Sequence, residues 1–202
     1  MKIAKLLQIF FFLSIIISSC SENDEEFVDT SLISFEEATF SEDEFIIYLT
    51  EDPNGKTFSF GAGTYNFTNT IPLADIENLT IKGVGIDETY FDFSNSASTS
   101  GEGIAATQCS NLLFCGFTIQ NTNGGNAITA RNITGLRIDG VGTVWPERSP
   151  DNGAYGIYPV ESNDVIVENC YAQAAVDAGI YSGQNQLVIL RNNRMTQNVF
   201  CI

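Results

Sequence analysis

Apolar and polar residues alternate along most of this chain in short runs, and the runs recur in a fixed frame. Gly156-Ile157-Tyr158 is followed by Val165-Ile166-Val167-Glu168-Asn169, and 23 residues on the frame reads Gly179-Ile180-Tyr181, then Val188-Ile189-Leu190-Arg191-Asn192. Upstream, Ile71, Ile104 and Ile128 take the place of Ile157 and Ile180. Each of the five isoleucines has an apolar residue eight and ten positions later, and a Gly or Asn twelve positions later (Gly83, Gly116, Gly140, Asn169, Asn192). Period-two alternation in short apolar runs predicts strands, and Gly or Asn between them predicts turns. A repeat of this length, with two such strand segments per unit, predicts an all-β solenoid, the parallel β-helix.

Successive strand residues point to opposite faces, so the frame sorts into columns along the stack. Ile71/Ile104/Ile128/Ile157/Ile180, Leu79/Leu112/Leu136/Val165/Val188 and Ile81/Phe114/Ile138/Val167/Leu190 point inward. Each buried aliphatic contributes roughly 1.5–3 kcal/mol, so these columns dominate stability. Outward columns hold Thr129, Tyr158 and Tyr181; Arg131 and Val160; Asn132, Glu161 and Gln184; and Lys82, Cys115, Asp139, Glu168 and Arg191. Neighbouring coils lie about 4.8 Å apart. Tyr158 is therefore expected to stack on Tyr181, and Glu168 to lie beside Arg191. The tyrosines, flanked by Glu161 and Arg131, form a ledge suited to the apolar face of a sugar ring and its polar groups. The same residues also read as ordinary cross-strand pairs stabilising a sheet surface.

Unequal spacing places loops within residues 94–101 and 142–153. The second holds Trp145, the single tryptophan, with Pro146 and Pro150, and joins the candidate binding surface because loops on rigid scaffolds carry function. Residues 33–52 mix Phe35, Phe40, Phe45, Ile46 and Ile47 with acidic residues, as expected of a segment capping the apolar end of a solenoid. After Asp52-Pro53-Asn54-Gly55, a turn signal, come Gly63-Thr64-Tyr65 and Leu79-Thr80-Ile81-Lys82-Gly83-Val84-Gly85. This opening resembles the first coils of right-handed parallel β-helix proteins of the pectate-lyase-like class, over roughly residues 33–197. The resemblance implies the fold.

Composition narrows the chemistry. Net charge is −16, which argues against nucleic acid, where Lys and Arg drive phosphate contact. The chain has no histidine, so any catalysis falls to a carboxylate, Lys, Arg, Tyr or Cys. Lys2 and Lys5 precede an apolar run from Leu6 to Ile17 and then Ser18-Ser19-Cys20, the pattern of a secretory leader too short to span a bilayer. Ile17-Ser18-Ser19-Cys20 resembles a bacterial lipobox, which implies lipidation at Cys20. The acidic run Ser21-Glu22-Asn23-Asp24-Glu25-Glu26 resembles the export tags of surface lipoproteins, and reads equally as a self-repelling extended tether. These features imply an outer-membrane or cell-surface lipoprotein with a lipid anchor as its membrane contact. The chain divides into a leader (residues 1–19), a tether (20–32), a cap segment (33–52) and the coil (53–202). The register ends without a polar cap, and the coil is read as lacking its C-terminal turns. Cys109, Cys115 and Cys170 fall in different columns. They are read as small buried or surface residues, with a Cys109–Cys115 bridge left open. No CxxC or histidine points to a metal, calcium is not indicated, and no cofactor is implied.

Tyr155-Gly156-Ile157-Tyr158-Pro159-Val160-Glu161 resembles the active-site coil of β-helix alginate C5-epimerases and related polyuronate enzymes, Tyr-Gly-hydrophobic-Asp-Pro-His-Glu. Tyr155, Gly156, Pro159 and Glu161 match, while Tyr158 stands at the catalytic Asp and Val160 at the catalytic His. Proton abstraction beside a carboxylate needs an acid/base pair in reach of the ring, and both partners are replaced. The chain is also similar to surface lipoproteins built of β-helix repeats, through Tyr155 to Pro159 and Asp177 to Tyr181. Two functions follow. One is a surface lipoprotein that binds polysaccharide through Tyr158, Tyr181, Glu161, Arg131 and Trp145, without catalysis, which the missing dyad favours. The other is a polyuronate lyase or epimerase using Tyr158, Glu161 and Arg131.

Overall fold

The computed structural model describes residues 31–200. The leader, Cys20, the tether up to residue 30, and Cys201 lie outside the described residues.

The chain winds into a β-solenoid of three parallel sheets, with strands numbered in chain order. The first sheet stacks β1 (Leu32–Phe35), β2 (Thr57–Phe60), β5 (Glu77–Lys82), β8 (Ser110–Cys115), β11 (Thr134–Asp139), β14 (Asn163–Glu168) and β17 (Gln186–Arg191). The second stacks β4 (Ile71–Ala74), β7 (Ile104–Thr107), β10 (Ile128–Arg131), β13 (Tyr155–Val160) and β16 (Ala178–Ile180). The third stacks β3 (Gly63–Asn66), β6 (Thr89–Asp92), β9 (Thr118–Gln120), β12 (Gly142–Val144), β15 (Tyr171–Gln173) and β18 (Arg194–Thr196). The parallel β-helix expected from the repeat is the fold observed.

The register follows the frame residue by residue. Ile71, Ile104, Ile128, Ile157 and Ile180 pair one above the next, and all five are buried. So do Leu79, Leu112, Leu136, Val165 and Val188, and Ile81, Phe114, Ile138, Val167 and Leu190. In the last coil Val188 is half-buried and Leu190 is exposed. The Gly or Asn twelve residues after the isoleucine has a structural reason. Gly116, Gly140, Asn169 and Asn192 turn the chain from the first sheet to the third at φ 69, 63, 55 and 56°, a region open to Gly and tolerated by Asn. A second left-handed turn, from the second sheet to the first, falls on Asp75, Gln108, Asn132, Glu161 and Gln184.

The lower end of the core is aromatic. Helix α1 (Glu42–Glu51) starts at Ser41, whose side chain accepts from Glu44 N (3.3 Å), with three acidic residues in the first turn where the helix dipole favours them. Its buried Phe45 meets Phe35, Phe58 and Phe60 edge-on at 5.4–5.5 Å. Glu42 ties the helix to the coil by accepting from Thr68 N and Asn69 N, both at 2.9 Å.

Cys109, Cys115 and Cys170 are free thiols, so no Cys109–Cys115 bridge forms. Cys109 and Cys170 are buried in turns between sheets, and burial pushes the Cys170 thiol up to about 11.

Candidate functional site

The outward face of the second sheet gathers three tyrosines in two coils. Thr129 pairs with Tyr158, so Tyr158 rises from the sheet one coil above a short side chain. Its expected stacking on Tyr181 is only partial: the ring centroids are 5.6 Å apart and the planes tilt by 32°. The close stack is between Tyr155 and Tyr181, at 4.9 Å and 16°, and Tyr155 also lies 4.8 Å from Tyr158. Strict alternation would turn Tyr155 inward with Ile157. Gly156 takes the inward place alongside Ile157, both being buried: a Cβ on Gly156 would lie 2.3 Å from Thr143 Oγ1 and 2.5 Å from Gly179 O. Gly156 is thus what frees Tyr155 to face outward. The rings lean across Gly183, where a Cβ would stand 3.2 Å from Tyr158 Cε2 and 3.4 Å from Tyr181 Cε1. Beneath them Val160, aligned with Arg131 as expected, is buried rather than exposed.

Tyr155, Tyr181, Asp177, Ala178 and Phe200 line a small cavity of about 250 Å³. Burial first, and then the Asp177 carboxylate that accepts from its hydroxyl, raise the Tyr155 pKa above the ordinary tyrosine value. Tyr155 is therefore a neutral hydrogen-bonding group at physiological pH, and Asp177 an acceptor at the cavity edge. Both residues fall in coils quoted above for their resemblances, but neither stands among the expected site residues. Asp177 carried a signal in Asp-Ala-Gly-Ile-Tyr, whose stem repeats that of Tyr-Gly-Ile-Tyr.

Arg131 and Glu161 sit at the edge of this face and bond to each other, Arg131 Nη1 donating to Glu161 Oε2 at 2.8 Å. Both side chains remain nearly half exposed, at 45% and 42%. Tyr158 makes no hydrogen bond to either among the described residues, so the three catalytic candidates share a face without forming an acid/base constellation. Glu102, also missed, faces outward lower down, where its carboxylate accepts from Thr129 Oγ1, itself bonded by Asn126 (3.1 Å).

Trp145 takes no part in the ledge. It is 3% exposed, its indole N–H donates to Thr122 O (2.9 Å), and a Cβ on Gly153 would touch its ring at 2.9 Å. A tryptophan N–H with a backbone partner can be buried at little cost. The expectation that Trp145 binds ligand is corrected: it is the core anchor of the loop that follows β12.

The other outward column closes on itself. Glu168 is buried between two arginines, accepting from Arg191 Nε at 2.6 Å on one oxygen and lying 2.7 Å from Arg137 Nη2 on the other. The second contact lacks hydrogen-bond alignment and acts through charge alone. Arg137 also donates to Asp139 (3.0 Å). The expected Glu168–Arg191 pair is present. Among the described residues no group of three or more His, Cys, Asp or Glu side chains converges as a metal site would need.

No protein-family model matches the chain, and no curated protein matches it. Among solved structures it is similar to one from Parabacteroides merdae ATCC 43184, described as a "putative glycosyl hydrolase". The two are 16% identical, the match covers 82% of this chain and 97% of that one, and the TM-score is 0.41.

Proposed function

We propose that this protein is a cell-surface lipoprotein that binds polysaccharide on the outer face of its second sheet, without turning it over. The observation that carries the reading is the packing of Tyr155, Tyr158 and Tyr181 on one rigid sheet face, with centroids 4.8–5.6 Å apart. Aromatic faces carry negative quadrupole density that attracts the polarised C–H groups on the flat side of a pyranose ring. Asp177, Arg131 and Glu161 around the rings supply the acceptors and donors that sugar hydroxyls or carboxylates need. Catalysis would require a base and an acid in reach of one ring, whereas Glu161 is held by Arg131 and Tyr158 has neither as a partner.

Affinity electrophoresis and pull-down on alginate and pectate test the binding. Absorbance of unsaturated product and proton NMR of the polymer test lyase and epimerase turnover. Retention that is lost in Tyr158→Ala/Tyr181→Ala, with no turnover, supports the reading. Turnover abolished by Tyr158→Phe replaces it with the polyuronate lyase or epimerase reading. The anchor is tested separately: Cys20→Ala is expected to leave the membrane fraction, and a variant that stays membrane-bound refutes the lipoprotein assignment.

A further inference from the structure

We infer that the third sheet carries a second, independent sugar-binding groove, built for a neutral hexopyranose unit and centred on Tyr171. The passage from the first sheet to the third takes two residues in four successive coils: 116–117, 140–141, 169–170 and 192–193. Between β5 and β6 it takes six, residues 83–88. This longer turn folds up over the coils above it. Thr118 Oγ1 donates to Ile86 O at 2.6 Å, and a Cβ on Gly142, two coils above the turn, would lie 3.2 Å from Ile86 Cγ1. The turn thereby raises one wall of a groove of about 530 Å³, within the usual range for small-ligand sites.

The floor is an outward column of the third sheet in register: Tyr90, Thr118, Gly142, Tyr171 and Arg194. The Arg194 guanidinium covers one face of the Tyr171 ring, 5.4 Å from its centroid. Below Tyr171 in register is Gly142, which has no side chain of its own; the Ile86 side chain stands over it and forms the apolar wall of the groove on that side. The Tyr171 hydroxyl is held by Gln173 Oε1 (2.5 Å) and Thr196 Oγ1 (2.8 Å), so the ring is fixed before any ligand arrives. Pre-ordering of this kind lowers the entropic cost of binding.

Around the groove stand polar groups with spare capacity. Gln120 donates to Asp92 (2.6 Å), and its carbonyl accepts no hydrogen bond among the described residues. Asn192 donates to Asn169 (3.4 Å) and keeps its carbonyl free in the same way. The Asp87 carboxylate, exposed on the turn, has neither an ion pair nor a hydrogen bond among the described residues. A preformed aromatic platform ringed by acceptors and one carboxylate matches the C–H face and the donating hydroxyls of a sugar. The Asp87 carboxylate on the exposed turn disfavours a uronate and favours a neutral ring, while Arg194, which also lines the groove, is turned onto the Tyr171 ring.

The test uses methyl glucoside, galactoside and mannoside, with methyl glucuronide as the acidic control, followed by saturation-transfer NMR at millimolar concentration. At least one neutral glycoside is expected to bind more strongly than the glucuronide. Its affinity should drop about tenfold in Asp87→Asn, the ~1.4 kcal/mol of one charge-assisted hydrogen bond, and more in Tyr171→Ala. Asp87 lies on an exposed turn, so that variant remains decisive if Tyr171→Ala does not fold. Binding here is expected to be unchanged in Tyr158→Ala/Tyr181→Ala, which separates it from the tyrosine ledge. Failure of all three neutral glycosides, preference for the glucuronide, or affinity within twofold of wild type in Asp87→Asn overturns the inference.

Discussion

Two outward faces of the same coils use their polar groups in opposite ways. On the first sheet, Glu168 is only 5% exposed and its charge is met by Arg137 and Arg191, so the face is satisfied from within. On the second sheet, the tyrosines pack on one another with Asp177 at their edge and leave Tyr181 42% exposed, with a half-exposed ion pair beside them. The backbone is equivalent in both places. The contrast teaches that a regular coil does not itself create a site; what distinguishes one is surface left over after the neighbours have been satisfied.

The sharpest way to break this comparison is to unbalance the closed face. Arg137 and Arg191 are more than half exposed and Glu168 is not, so their losses are unequal. Removing both arginines (Arg137→Ala/Arg191→Ala) strands a buried carboxylate and is expected to cost about 3 kcal/mol. Glu168→Gln leaves two arginines that water can solvate and is expected to cost about 1 kcal/mol. Urea unfolding midpoints measure both, and the reverse order would mean that Glu168 is not the buried member.

A smaller effect marks the open face. The Tyr155 pKa is raised in the folded protein by burial and by Asp177. The unfolded tyrosine therefore ionises first as pH rises. The stability that neutral Tyr155 contributes is complete below the unfolded value of about 10 and is lost as pH climbs through the folded one. Tyr155→Phe should flatten the alkaline fall in melting temperature and remove one late component of the phenolate absorbance titration. Loss of an ordinary component, near pH about 10, in place of a late one would put Tyr155 in water. Smallest of all, Tyr158→Ala/Tyr181→Ala is expected to cost no more than about 1 kcal/mol of stability, because these rings lie outside the core.

Much of the fold was legible because its determinants are local and periodic. The isoleucine, leucine and Gly/Asn columns follow from period-two alternation and from the residue types a left-handed turn accepts. The second left-handed turn was not legible: Asp75, Gln108, Asn132, Glu161 and Gln184 share no residue type that signals it. Of the candidate site, Tyr158, Tyr181, Arg131 and Glu161 were read onto the right face. Tyr155 was read only as a match to the epimerase-like coil and not onto the ledge, because the successive burial of Gly156 and Ile157 breaks the alternation used to sort faces. Trp145 was misplaced because two prolines in a loop suggest exposure, and nothing local announces that Thr122 O waits for its indole. The Tyr171 groove depends on a turn reaching over the coils above it, a tertiary fact that no spacing records.

The central claim is that the tyrosine face binds polysaccharide and leaves it intact. Its most direct test is a paired measurement on wild type and Tyr158→Ala/Tyr181→Ala, with Asp87→Asn as a control: retention on alginate and pectate, whose uronates the Tyr171 groove disfavours, and polymer NMR after incubation. The account predicts retention by wild type and Asp87→Asn, at least tenfold weaker retention (about 1.4 kcal/mol) in the double tyrosine variant, and an unchanged polymer throughout. Equal retention by the double variant, or a polymer altered by wild type, would contradict it.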